Sequence, residues 1–203
     1  MFVTDGGSNY DSVCRDLLAV MHKTGAIANA VILGGTVEGN TAHIPLFGQD
    51  CHIRDGEVQA NGRRLDAIGS ILVARYLLVG GRAAWDNVWI PFRDLKDGAN
   101  FATHLKAHIE DKLARVFSGR AADLKARLEA LGGRLPSGEF AADVALVVYP
   151  FPRVPVLCLF YDRDEEFAAS FQFLFDSSAP SYLDLESLAA VLQYIYLKVV
   201  EGA

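Results

Sequence analysis

Three side chains, His104, His108 and Asp111, stand at i, i+4 and i+7 and fall on one face of a predicted helix. Two imidazoles and a carboxylate form a donor set used for non-haem iron and for catalytic zinc. That face lies away from the apolar stripe of Phe101, Leu105, Ile109 and Leu113. Arg115 continues the row and would put a positive charge beside the ion, and HExxH is absent. The row therefore reads as a solvated helix face. Cys51 and His52 are neighbours in a predicted strand, so their side chains point to opposite faces and cannot share one ion. No metal ligand set is assigned.

Other chemistry is equally thin. Gly34-Gly35-Thr36-Val37-Glu38-Gly39 follows an apolar run, but it is neither GxGxxG nor a GKS/GKT loop, and a strand follows it. Phosphate binding by such loops needs a helix N-terminus. Ser70 follows Gly69 inside a helix rather than on a strained turn, and no serine sits in GxSxG. Asp162, Asp164, Glu165 and Glu166 crowd one loop and offer oxygen to a hard cation, yet the EF-hand spacing is missing, so they read as a charged hairpin tip. No catalytic residue is assigned.

The binding candidates are Trp89, Arg93, Phe151, Arg153, Glu166 and Asp176. In Pro150-Phe151-Pro152-Arg153-Val154-Pro155, three prolines stiffen a connection between two core strands. A stiff rim can present side chains to a ligand. Arg93 and Arg153 would grip a carboxylate or phosphate through guanidinium forks. Trp89 and Phe151 would supply flat walls, and Glu166 and Asp176 would orient the arginines.

These residues must be held by predicted elements. Asn9 or Asp11 caps a helix to about Lys23 that ends at Gly25. A β-rich stretch follows: a strand His43–Phe47, a turn at Gly48-Gln49, a strand Cys51–Arg54, a hairpin signal at Asp55-Gly56, then Glu57–Ala60 and a second turn at Asn61-Gly62. Pro45 suggests an edge strand. Asp66 caps a helix Ala67–Val79 that is apolar on nearly every side and so belongs in the middle of the core. Trp89–Leu95 is extended. Helices of about Asn100–Phe117 and Ala121–Leu131 come next. The chain closes with a three-stranded meander (Val144–Tyr149, Val156–Tyr161, Phe171–Phe175) and a helix of about Tyr182–Val200, with Ser181 and Asp184 as a capping box. The expectation is a single α+β domain over residues 1–203. Small antiparallel sheets, an N-terminal hairpin region and a C-terminal three-stranded meander, pack with about five helices around one core.

Composition narrows the function classes. The 203 residues include 51% hydrophobic and 22% charged side chains, enough for a real core. A net charge of −6 argues against nucleic acid, which demands a basic face. Cys14, Cys51 and Cys158 are odd in number and widely spaced, as in a reducing compartment. The start Met1-Phe2-Val3-Thr4-Asp5-Gly6-Gly7 has no signal-peptide pattern, and the most apolar run is too short for a bilayer, so no membrane partner and a cytoplasmic location are expected.

Three runs look familiar together. Trp89-Ile90-Pro91-Phe92-Arg93-Asp94-Leu95 with Gly98 and Phe101 is one. Pro150-Phe151-Pro152-Arg153-Val154-Pro155 is the second. Asp164-Glu165-Glu166-Phe167 with Leu174-Phe175-Asp176-Ser177-Ser178-Ala179 and Tyr182-Leu183 is the third. In order and spacing they resemble the signatures of an uncharacterised bacterial and archaeal family, the domain of unknown function DUF3786. The resemblance covers about the last three fifths of the chain; the N-terminal third is similar only in its β-hairpin and buried helix. The resemblance implies a role near corrinoid or iron–sulfur cofactors, because members are common in anaerobes and some are joined to an iron–sulfur domain of the type seen in corrinoid proteins. This chain lacks the clustered cysteines of that domain. No activity and no catalytic residue come with the resemblance.

The expected function is thus a binding or accessory module for an unknown small anionic ligand or cofactor beside the final sheet. One alternative is an enzyme using Glu165, Glu166 or Asp176 as acid or base. Another is an interaction adaptor or homo-oligomer using the edge near Pro45 or the proline-rich rim.

Overall fold

The computed structural model describes residues 7–54 and 56–201, with side chains from residue 12 onward. Asp55 and the stretch Met1–Gly6 lie outside the described residues. The fold is α+β. Two antiparallel sheets and five helical rods share one continuous cluster of buried side chains.

Helix α1 (Gly7–Thr24) leads in, and Asn9 and Asp11 lie within it rather than ahead of it. The first sheet is a meander of five strands in sequence order: β1 (Thr36–Glu38), β2 (Thr41–Leu46), β3 (Gln49–Arg54), β4 (Glu57–Ala60) and β5 (Arg63–Arg64). Its inner face carries Ala42, Ile44, Leu46, Cys51, Ile53 and Val58, each at most 2% exposed. Alternation along each strand sends the intervening side chains to the opposite, outer face. Pro45 does not mark an edge strand: β2 is flanked by β1 and β3. Its missing N–H is tolerated because β1 pairs only as far as His43 and does not reach it.

The β2–β3 turn sits one residue earlier than expected. Its two central residues are Phe47 and Gly48, with φ of 51° and 74°. That is the signature of a type I′ hairpin, which asks for two left-handed residues. An aromatic residue is unusual at the first position. Here Phe47 is tied down, its N–H donating to the Pro150 carbonyl at 3.0 Å and its ring lying 5.7 Å from that of Tyr194.

Helix α2 (Ala67–Val79) runs through the middle of the core, as its all-round apolar sequence requires. Asp66 caps its N-terminus by accepting from the Gly69 N–H at 2.9 Å. Tyr76 on α2 is fully buried. Its hydroxyl donates to the Leu33 carbonyl (2.9 Å) and accepts from the Arg153 N–H (3.2 Å), and its ring stacks on Phe151 at 4.3 Å. Burial pushes the phenol far above its ordinary titration range, so it stays a donor.

The second sheet has the order β6 (Trp89–Pro91), β9 (Ser170–Asp176), β8 (Val154–Tyr161), β7 (Val144–Phe151). The predicted meander is therefore joined by a fourth strand, since only the first part of the extended piece at Trp89 is a strand and Phe92–Asp94 forms a 3-10 turn. Both faces of β7 and β8 are covered, as their unbroken apolar runs demand. One face meets the main core. The other carries Val147, Leu157 and Leu159, with Phe140 and Ala142 of the preceding loop packed on them.

The predicted helix at Asn100–Phe117 is α3 (Ala99–Leu105), a π-helical turn (Lys106–Glu110) and α4 (Asp111–Phe117). The π turn delivers Glu110 to β9, where its carboxylate accepts from the Phe173 N–H at 2.9 Å. β6 pairs β9 only down to Leu174, so this bond satisfies the first donor beyond it. Desolvation raises the Glu110 carboxyl above its ordinary range, against the opposing pull of that N–H, Lys106 and Arg93. Helices α5 (Ala121–Ala130) and α6 (Leu185–Glu201) complete the packing. The N-cap of α6 is Asp184, which accepts from the Ser187 N–H at 2.8 Å, while Ser181 closes a preceding 3-10 turn.

Because Gly48 holds a left-handed backbone with no neighbour within 4 Å of an added Cβ, strain is the only cost of a methyl group there. Gly48→Ala is expected to lower stability by about 1 kcal/mol without loss of fold, read as a shifted midpoint in urea unfolding.

Candidate functional site

The structure places the six expected binding residues around the second sheet but assembles no common pocket from them. Trp89 and Asp176 are cross-strand partners on β6 and β9. Asp176 is 1% exposed and fully engaged. It accepts from the Asp86 N–H (3.1 Å), the Asn87 N–H (2.7 Å), the Ser178 N–H (3.0 Å) and the Ser178 hydroxyl (2.5 Å). Those bonds latch the segment between α2 and β6 onto the end of the sheet. Phe151 is 0% exposed and spends its ring on Tyr76. Arg153 stands in the two-residue turn between β7 and β8. Its side chain is exposed, while its backbone bonds Tyr76 and the Trp85 indole N–H (3.4 Å to its carbonyl). Arg93 is also exposed, 3.6 Å from Asp94, and follows β6 toward the opposite end of the sheet, near Glu110. Glu166 lies in the β8–β9 loop, at the far end of β9 from Asp176.

The acidic loop is built from caps. Asp164 accepts from the N–H groups of Glu166 (2.8 Å) and Phe167 (2.7 Å), and these bonds hold its carboxyl below the usual range. Asp162 accepts from the Gly119 N–H at 2.6 Å. His104 and His108 keep their rings 4.3 Å apart, but His108 lies within the π turn, which breaks the α-helical spacing to Asp111, and Asp111 pairs with Lys106. That row does not converge on a point.

The convergent cluster lies elsewhere. Among the described residues, one group of three metal-ligating side chains closes to within 4.8 Å of one another: His43, Asp50 and His52. The hairpin register makes it. Leu46 faces Gln49 across the turn, so His43 faces His52 and Asp50 faces Pro45, with His43, Asp50 and His52 all on the outer face. The imidazole rings are 4.4 Å apart in an edge-on arrangement. His43 Nδ1 lies 3.1 Å, and His52 Nε2 3.3 Å, from the same oxygen, Asp50 Oδ2. The side chains are 20%, 54% and 45% exposed for His43, Asp50 and His52. Cys51, between Asp50 and His52, points inward, and burial raises its thiol to about 11, so it stands outside the cluster as a neutral core side chain.

The ground around the cluster is polar. Gln59 of β4 faces His52, Arg64 faces Gln59, and Glu57 faces Arg54. A cavity of about 550 Å³ opens on this face, lined by Thr41, His52, Arg54, Glu57, Gln59 and Gly62. No helix among the described residues is long and apolar enough to cross a membrane.

Fold and face together define an α+β protein that turns a polar, imidazole-bearing sheet surface outward. The model of the family described as "Domain of unknown function (DUF3786)" matches residues 28–197, and the chain belongs to that family. No curated protein and no solved structure matches it.

Asp176 provides an acid-sensitive latch. Burial pushes its carboxyl up, but the bonds from Ser178, Asp86 and Asn87 outweigh that and hold it below the ordinary 3.8. A depressed acid stabilises the fold above its unfolded value and loses that contribution as pH falls toward its native value. Asp176→Asn is therefore expected to destabilise the protein at neutral pH by about 2 kcal/mol. The gap to wild type should narrow below pH 3.8, as measured by urea titrations across the acid range.

Proposed function

We propose that this chain is a binding module that holds one divalent transition-metal ion on the outer face of its first sheet, through His43 Nδ1, Asp50 Oδ2 and His52 Nε2. The observation that carries the reading is the convergence of these three donor atoms within 4.8 Å. Donors bound at about 2.0–2.2 Å from one ion and near right-angle or tetrahedral spacing lie roughly 3–3.5 Å apart. The two donor contacts to Asp50, 3.1 and 3.3 Å, match that spacing.

The donor chemistry selects the ion. Two imidazoles and one carboxylate favour zinc, iron(II), cobalt(II) or nickel(II) over calcium and magnesium, which prefer all-oxygen sets. The scaffold favours a preformed site, since a sheet fixes the backbone of all three ligands and a one-residue slip would turn them into the core. All three donors approach from the sheet side, so the remaining coordination positions face outward.

Titration of the purified protein with zinc, followed by calorimetry and native mass spectrometry, tests this. One ion per chain is expected. His43→Ala and His52→Ala should each weaken binding by at least about tenfold, whereas His104→Ala should leave it unchanged. Protons compete for the imidazole nitrogens, so affinity should fall on acidification. Equal zinc affinity in wild type and both hairpin variants would refute the reading.

A further inference from the structure

The outward coordination positions of the proposed metal open beside a charged hollow. His52 belongs to both: it is a ligand in the cluster and a wall of the 550 Å³ cavity. Arg54 lines the same cavity two residues along β3, on the same face as His52 and so roughly 7 Å away along the strand. Thr41 adds a hydroxyl to that wall. Gln59, opposite His52, gives its amide to Glu57 Oε2 at 3.3 Å, and Glu57 faces Arg54.

Charge decides what this hollow can hold. Arg54 and Arg64 are offset by Glu57 and by Glu38 opposite Thr41, and Asp50 adds one negative charge at the cluster, so without an ion the face does not favour an anion. A divalent cation on His43, Asp50 and His52 reverses the sign. The positive centre then lies within reach of a guanidinium whose planar fork suits carboxylate and phosphate. Resting on the metal reading above, we infer that the metal-loaded face takes a small oxyanion, a carboxylate or a phosphate. One oxygen enters the ion's open position and the others reach Arg54 and Thr41. The anion is gated by the metal: the bare protein does not retain it.

Cobalt(II) makes the two levels separable, because its visible spectrum reports its ligands. The purified protein is loaded with cobalt and then titrated with inorganic phosphate or with malonate, and a bare sample is titrated in parallel by calorimetry. The expected result is a saturable spectral shift with at least one anion, and no binding by the bare protein. A response to phosphate alone assigns a phosphate ligand; a response to malonate alone assigns a carboxylate. Arg54→Ala should keep cobalt affinity while weakening the anion by at least about tenfold, with partial recovery in Arg54→Lys. His43→Ala should lose both. If cobalt binds but neither anion shifts the spectrum, or if Arg54→Ala holds the anion as tightly as wild type, the anion inference is overturned and the metal reading stands. If cobalt does not bind, both are overturned.

Discussion

Tyr76 is the point on which the two halves of the molecule depend. It sits on the central helix, and one buried hydroxyl serves partners far apart in the sequence: it donates to the Leu33 carbonyl ahead of the first sheet and accepts from the Arg153 N–H in the turn of the second. Both partners are main-chain groups, and buried main-chain groups are costly to leave unpaired. The ring adds a stacked contact with Phe151, fixing that turn from below. Close approach follows. A Cβ on Gly34 would stand 2.6 Å from Pro152, and Gly34 also holds φ of 91°, so only glycine lets the two sheets' connections pass this closely. The proline-rich run is therefore stiff because it is a docking surface for the rest of the chain, and Phe151 faces the core for the same reason.

The same docking supports the hairpin that carries the histidines. Phe47 accepts a left-handed backbone that aromatic residues avoid, and its N–H bond to Pro150 helps hold it there. That choice of turn sets the register, and the register sets the chemistry. With Phe47 and Gly48 at the centre, His43 and His52 are equidistant from the turn and must meet. The inward run of Ala42, Ile44, Leu46, Cys51 and Ile53 then locks the histidines outward, since any slip by one residue would bury imidazoles and expose the apolar set.

This is also where sequence reading failed. The helices are legible from their 3.6-residue periodicity, the lack of a polar face predicts that α2 is central, and unbroken apolar runs predict that β7 and β8 are covered on both faces. Short pieces without a pattern are not legible: β1 is three mostly exposed residues, and the π turn leaves no mark in a helical stripe. The sequence predicts the hairpin but puts its turn at Gly48-Gln49, because Phe47 resembles a strand residue. That single shift pairs His43 with Arg54 and separates it from His52. Cys51 and His52 do diverge, as adjacent strand residues must. The signal lay across the ladder instead, in two histidines each three residues from the Leu46–Gln49 pair that closes the turn.

The residues that carried the family resemblance have a different meaning in three dimensions. Asp176 latches the α2–β6 segment, the run at Trp89 supplies the fourth strand, Asp164 caps its own loop, and the turn at Arg153 receives Tyr76 and Trp85. Apart from the Trp89 run, which is itself a ladder strand, each is a place where main-chain groups lack a regular ladder partner and a specific side chain or backbone must supply one. Such positions call for particular residues just as a binding site does, and a linear motif does not distinguish the two. What distinguishes them is how much of the polar group stays open to solvent. Asp176 has its acceptors filled by the protein itself. His43 and His52 instead aim two nitrogens at one partly exposed carboxylate oxygen, an arrangement with geometry to spare for a guest. The C-terminal half thus builds and braces, and the N-terminal sheet, with fewer recognisable motifs, holds the chemistry that is left open to solvent.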